Sequence, residues 1–225
     1  HTGVKRTSCL QDVRDIARVA DGTEEIAFHW VALSAQDTPV ESRGLHEIKA
    51  VWENSTKHVQ TESVYNIEEA KAAIEMAAIL AGGKGNIRKR PMLSLMQCTA
   101  PPLGHDGGSL DASLLAAEVG IPTGFMTMAA CATTGPITLA GDLAVGNAEV
   151  IAATALLQIA FPGAPVFYAA AQTASDLRNG SYTGGGPEDF LFGAATNVLA
   201  NFYNIQLSMG AFATGAKETN WQEGL

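Results

Sequence analysis

Short apolar runs alternate with helix-period stripes along the whole of this 225-residue chain, and their spacing leaves few folds open. The runs begin near residues 26, 58, 91, 123, 165 and 205, so successive starts lie 32, 33, 32, 42 and 40 residues apart, with one helical pattern in each interval. Antiparallel neighbours can be joined by a tight turn, whereas parallel neighbours need a crossover, usually a helix. Every interval here has room for one. The repeat runs without a break in composition, which predicts a single α/β domain over residues 1–225. An open sheet and a barrel both satisfy the alternation. The regular spacing, and the lack of a Gly-x-Gly-x-x-Gly after any run, favour the barrel. A closed barrel has eight strands where this chain offers six, so the expected fold is a partial (β/α)8 TIM barrel of about six βα units. Its remaining strands are expected beyond the two ends, which makes the chain an internal portion of a barrel.

The expected strands are 26–33, 58–64, 91–97, 123–129, 165–171 and 205–211. Leu10 to Ala20 puts Val13, Ile16, Ala17 and Ala20 on one helical face with Ser8 as its cap, and Leu45, Ile48 and Trp52 give a second stripe. The third helix has the fullest signal: Asn66 as cap, Glu69 three residues on, a stripe of Ala70, Ile74, Ala77, Ala78 and Ala81, and Gly82-Gly83 as the stop. A helix from about Leu110 to Val119 is ended by Gly120 and Pro122. Pro136 opens a segment running to Phe161 that is apolar nearly all round, as a helix buried on more than one side would be. Pro187-Glu188-Asp189 opens the last helix with acidic residues at its positive end.

Hydrophobic residues are 47% of the chain and charged residues 16%, which excludes disorder. With 14 Lys and Arg against 23 Asp and Glu, and basic residues scattered apart from Arg88, Lys89 and Arg90, no stripe can neutralise a row of phosphates. Nucleic acid is not an expected partner. The longest strongly apolar stretch, Val150 to Phe161, is shorter than the roughly 20 residues of a spanning helix, so no membrane span is expected. Cys9, Cys98 and Cys131 are odd in number and contain no Cys-x-x-Cys, which fits a reducing cytoplasm. His1, His29, His46, His58 and His105 stand alone, and no metal site is expected.

A barrel places its chemistry at the C-terminal ends of the strands and in the loops after them. That selects the segments 97–102, 104–108, 127–131, 172–176 and 214–217. Cys98 and Cys131 are nucleophile candidates, but no motif places a histidine beside either, and buried cysteine is commonly a small core hydrophobe. His105-Asp106, set among glycines, reads as an acid and base pair or as an ordinary polar loop. Gly184-Gly185-Gly186 before Pro187 reads as an anion cradle or a hinge, the hinge being favoured because no Lys-Ser/Thr follows. Asp142, Asn147 and Glu149 interrupt an apolar helix, so either the core satisfies them or they meet a partner. Phe125, Phe167, Tyr168, Phe212 and Trp221 offer aromatic faces of the kind that bind quaternary ammonium groups, though most are expected to be core packing.

Pro136-Ile137-Thr138-Leu139-Ala140-Gly141, Asn147-Ala148-Glu149-Val150, Gln158, Pro162 to Tyr168, Asp176-Leu177-Arg178-Asn179-Gly180, and Ala216-Lys217 with Gln222-Glu223-Gly224 resemble the trimethylamine:corrinoid methyltransferase family. Pro91-Met92-Leu93-Ser94 and Pro101-Pro102-Leu103 are compatible with it. The resemblance implies a (β/α)8 barrel about twice this length, acting as a methyltransferase that moves a methyl group from a methylated amine to the Co(I) of a partner corrinoid (cobalamin) protein. Such a displacement asks the protein mainly for positioning and electrostatic complementarity, so an active site without a nucleophile and base pair is in keeping with it. Pyrrolysine, which the trimethylamine enzymes carry, is absent from these 225 residues, its position being either replaced or outside them. Relatives without it act on other methylated amines, glycine betaine among them, and the expectation is a non-pyrrolysine member acting on a quaternary amine such as a betaine. The alternatives are another barrel enzyme, a lyase using His105 and Asp106, or a non-catalytic core.

The substrate-binding residues expected at the barrel mouth are Gln97, Thr127, Tyr168, Gln172, Asp176 and Lys217. Tyr168 presents its face only if its strand phase points inward, Asp176 either attracts the cation or braces its loop with Arg178, and Lys217 suits a substrate carboxylate. His105 and Asp106 are the residues expected toward the corrinoid. Uncovered parallel edges further predict a homo-oligomer.

Overall fold

A computed structural model describes residues 6–209. Its elements are α1 (Leu10–Gly22), β1 (Phe28–Trp30), α2 (Arg43–Trp52), β2 (His58–Thr61), α3 (Ile67–Ala81), β3 (Leu93–Cys98), α4 (Gly107–Val119), β4 (Thr123–Thr127), β5 (Ala130–Cys131), α5 (Leu139–Ala160), β6 (Val166–Ala170), β7 (Thr173–Asp176), β8 (Ser181–Tyr182), α6 (Pro187–Tyr203) and β9 (Gln206–Met209). Six strands form one sheet in the order β1-β2-β3-β4-β6-β9, and the recorded registers within it are parallel. Each successive pair is joined through a helix, so the chain is an α/β repeat of the partial (β/α)8 barrel kind.

Cα packing divides the chain into two compact units, His1–Leu95 with Asp111–Pro122, and Met96–Leu110 with Thr123–Leu225. In the first, the stripes of α1, α2 and α3 close on one sheet face: Val13, Ala17, Ile48, Val51, Ala70, Ala73, Ile74 and Ala77 pack with Val59, Leu93 and Leu95. The Asn66 side chain accepts the Glu69 N–H at 2.9 Å and Gly82 ends α3 with φ 76°. His58 is satisfied on both ring nitrogens. The Pro91 carbonyl, 3.1 Å from Nδ1, can only accept, so Nδ1 carries the hydrogen and Nε2 accepts from Ser94 Oγ at 2.9 Å.

In the second unit α5 and α6 pack on β4, β6 and β9, and a three-stranded sheet β5-β7-β8 stands at the ends of β4 and β6. That sheet has no counterpart in the sequence reading, because strands of two to four residues leave no periodic signal. Pro136 is not the first helical residue. Thr138 is the cap, accepting the Gly141 N–H at 3.2 Å, and α5 runs 22 residues from Leu139. The helix therefore exceeds the apolar stretch taken from Val150, and by length and composition alone it reaches what a bilayer crossing needs. One side of it packs in the interior, with Asp142, Gly146, Glu149, Val150, Ala153 and Leu157 buried, while Leu156 and Ile159 are exposed, so it is not buried on more than one side as expected.

Candidate functional site

The C-terminal ends of β3, β4 and β6 present two faces. Parallel pairing sets Met126 beside Ala169 and Gly124 beside Phe167. Met96, Met126, Phe167 and Ala169 form one buried cluster, with Cys98 and Ala171 packed partly buried against it. Phe167 lies across Gly124 so closely that a Cβ there would strike its ring. Toward β9 this face continues with Ser208 beside Ala169 and Gln206 beside Phe167. The cluster is thus soft and polarisable, its larger groups being two thioethers, a thiol and a phenyl ring.

The alternate side chains point to the helices. Tyr168, fully buried, donates from its hydroxyl to Asn147 Oδ1 of α5 at 3.2 Å, and Asn147 Nδ2 donates to Tyr203 Oη of α6 at 3.0 Å. Burial, with Tyr203 and Glu149 nearby, raises the Tyr168 phenol above its ordinary value. Thr127 donates to Glu149 Oε2 at 2.9 Å, and Gln172 donates from Nε2 to Asp142 Oδ2 at 2.9 Å and to the Asp142 carbonyl at 2.7 Å. Gln97, buried, shares the phase of Leu95. Of the six residues expected at the mouth, Gln97, Thr127, Tyr168 and Gln172 accordingly turn toward the helix layer, away from the face of Met126 and Phe167. The inward phase that Tyr168 needed to offer its ring belongs instead to Phe167.

Asp176 pairs with Arg178, through Nη2 at 2.8 Å and Nε at 3.0 Å, and accepts the Arg178 N–H. That pairing holds its carboxyl below the ordinary aspartate value and braces the loop after β7. Lys217, Phe212 and Trp221 lie outside the described residues.

Glu149 is the hub that the sequence raised only as a polar interruption. It is buried, and its carboxylate accepts from Thr99 Oγ1 at 2.6 Å, Thr127 Oγ1 at 2.9 Å and the Leu103 N–H at 2.7 Å. Its backbone carbonyl takes His105 Nε2 at 3.0 Å, so that nitrogen carries the hydrogen and is closed to a metal. The His105 ring stands edge-on to Phe125 at 5.5 Å. Asp106 accepts the Ser109 N–H at 2.8 Å, which holds its carboxyl below the ordinary value. The expected glycine loop is thus the start of α4, three residues earlier than Leu110. The His105 ring's Nδ1 then carries the lone pair. The Gly185 N–H is engaged by buried Asp189 at 2.7 Å, and Asp189 also accepts the Thr173 hydroxyl at 2.9 Å, so the glycine run is anchored to the fold through one carboxylate. The Cys131 thiol is buried and pushed up to about 11 by burial and by Asp142, which marks it as a core side chain.

The trimethylamine methyltransferase (MTTB) profile matches residues 1–225. The chain belongs to this family. A glycine betaine methyltransferase of Desulfitobacterium hafniense (strain Y51) is 34% identical over 223 residues, which cover 99% of this chain and 46% of the relative. The trimethylamine methyltransferase MttB of Desulfitobacterium hafniense (strain DSM 10664 / DCB-2) is 31% identical over 91% of this chain and 41% of its own length. That of Methanosarcina thermophila is 30% identical over 96% of this chain and 45% of its own length. The chain therefore spans under half the length of the curated family members it matches.

Proposed function

We propose that the full-length protein moves a methyl group from a quaternary amine, such as glycine betaine, to the cobalt of a partner corrinoid protein. The observation that carries this reading is the match along 99% of the chain to a glycine betaine methyltransferase, at 34% identity against 31% and 30% for the two trimethylamine enzymes above. The soft face of Cys98, Met126, Phe167 and Ala169 supports it, since methylated onium groups are held by polarisable and aromatic surfaces rather than by hydrogen bonds. The corrinoid supplies, when its protein docks, the Co(I) nucleophile that takes the methyl carbon. The C–N electron pair then leaves with the amine as a neutral tertiary amine and needs no proton. The residues of this chain orient the amine and exclude water. His105 and Asp106 remain proposed contacts on the corrinoid side.

The same reading places the reaction in the cytoplasm, in keeping with Cys9, Cys98 and Cys131 as free thiols, and has the protein self-associate. Asp176 and Lys217 remain proposed contacts for the amine head and its carboxylate. The test is to mix full-length protein with a Co(I) corrinoid protein and a panel of methylated amines. Methyl-Co(III) absorbance with glycine betaine is expected. Its absence with every amine would overturn the reading in favour of another barrel chemistry.

A further inference from the structure

Helix α5 carries two fully buried carboxylates on its sheet-facing side, Asp142 and Glu149, and they are satisfied very differently. Glu149 accepts three hydrogen bonds. Asp142 accepts one side-chain bond, on Oδ2 from Gln172, and its Oδ1 has no partner among the described residues. Gln172 is in the mirror-image position. Its amide nitrogen is engaged, while its buried Oε1 has no partner. Two orphaned acceptors on one hydrogen-bonded pair cannot satisfy each other, because neither oxygen brings a hydrogen. A single proton on Asp142 supplies the hydrogen that both oxygens lack.

Space and charge select the proton over a larger occupant. Asp142 Oδ1 lies so close over the backbone of Gly135 that a Cβ there would collide with it. The charged groups whose fields reach this corner are acidic: Glu149 from the same helix acts on Asp142, and Asp142 and Glu188 act on the Cys131 thiol of β5. Among the described residues no cation is recorded acting on these two buried negative charges, and protonating the less well bonded carboxylate removes one of them.

We propose that Asp142 and Gln172 form a proton-binding site in which Asp142, in mildly acidic solution, is a neutral carboxylic acid sharing its proton with Gln172 Oε1. Ionisation of this acid loosens the first turns of α5 from the residue that follows Ala171 at the end of β6. Burial and Glu149 raise the Asp142 carboxyl from 3.8 to about 6, in agreement with the geometry. Because the folded value is raised, the native state holds the extra proton. The stability it contributes is present at low pH and is lost as pH rises through that window.

The test uses full-length protein and does not depend on methyl transfer. Asp142→Asn mimics the protonated acid, since its amide can donate to Gln172 Oε1 and accept from Nε2. Its thermal stability relative to wild type is therefore expected to rise with pH between about 4 and about 6 and then to level off. This difference cancels the buried histidines common to both proteins. Aspartate-labelled infrared spectra are expected to show at pH 5 a protonated carboxyl band in wild type that is lost in the variant. A wild type without that band, or an Asn variant whose deficit is the same at every pH, overturns the proposal. So does stabilisation of wild type by potassium or sodium at pH 8 that the variant loses, which would make the occupant a metal cation.

Discussion

The Thr99 hydroxyl donates to Glu149 Oε2 at 2.6 Å, joining the end of β3 to the middle of α5. Through the same carboxylate run Thr127 of β4 and the Leu103 N–H, so one side chain fixes two strand ends and the loop between Thr99 and His105. Glu149→Ala strands three donors in the interior, and a loss of about 3 kcal/mol or more is expected in urea unfolding of the full-length protein. Thr99→Val and Thr127→Val leave Glu149 two donors each and are expected to cost about 1 kcal/mol singly. Their double mutant is expected to lose more than the sum, because the second loss leaves a buried carboxylate with one donor.

Gly146 lies between Thr127, a partner of Glu149, and Gln172, the partner of Asp142. A Cβ there would stand 2.7 Å from Thr127 Oγ1 and 2.8 Å from the Gln172 amide, both buried. Gly146→Ala is expected to destabilise by about 1–3 kcal/mol in spite of alanine's better helix propensity. Gly22, the last residue of α1, has nothing within 4 Å of the same position. Gly22→Ala is expected to raise stability by about 0.5 kcal/mol through the unfolded state. Thermal melts of the two variants check the contrast in sign.

The helices that side chains announce were legible in the sequence. Asn66 and Glu69 open α3, and Pro187 with Glu188 and Asp189 opens α6, because a cap is local chemistry. Strand phase was not legible. Val166 to Ala171 is apolar or aromatic at every position, as a strand covered on both faces is, so nothing in its pattern tells Phe167 from Tyr168. That ambiguity put Tyr168, Gln172 and Thr127 in the expected mouth, whereas their side chains bond to residues of α5. The sequence did show that Asp142, Asn147 and Glu149 needed partners. Which partners they have depends on contacts twenty to fifty residues away, and no spacing rule reaches so far.

His29 and His58 are both held below the ordinary histidine value by burial, and His58 is neutral with Nδ1 protonated. A depressed folded value means that the unfolded chain takes up protons first, so stability is present above about pH 6.5 and falls as the solution is acidified below it. His58→Gln keeps a donor and an acceptor but does not titrate. It is expected to flatten part of that acid slope in melts recorded from pH 7 to pH 5, and an unchanged slope would assign the effect to other groups.

Cys131, buried and with its thiol pushed up to about 11, is expected to resist alkylation in the native full-length protein at pH 8 and to react only on unfolding. Cys98 and Cys9 are partly exposed and provide the comparison within one digest. Rapid labelling of Cys131 in the folded protein would show that its surroundings open on the timescale of the reaction.

Phe167 tests the proposed amine surface most directly. Its ring lies over Gly124 and against Met96, Met126 and Ala169, on the face opposite to the Glu149 network. Phe167→Leu keeps an apolar side chain but removes the π-face, and a desolvated cation on an aromatic face is worth on the order of 1–2 kcal/mol. The expected result in full-length enzyme is a rise of about tenfold in KM for a quaternary amine, with kcat changing less, because the ring meets the ground-state cation as well as the transition state. Met126→Leu conserves volume and is expected to change KM by much less. Equal effects from the two substitutions would point to packing of the sheet face rather than recognition of the cation. An unchanged KM in Phe167→Leu, with Tyr168→Phe raising it, would move the amine to the helix side of β6.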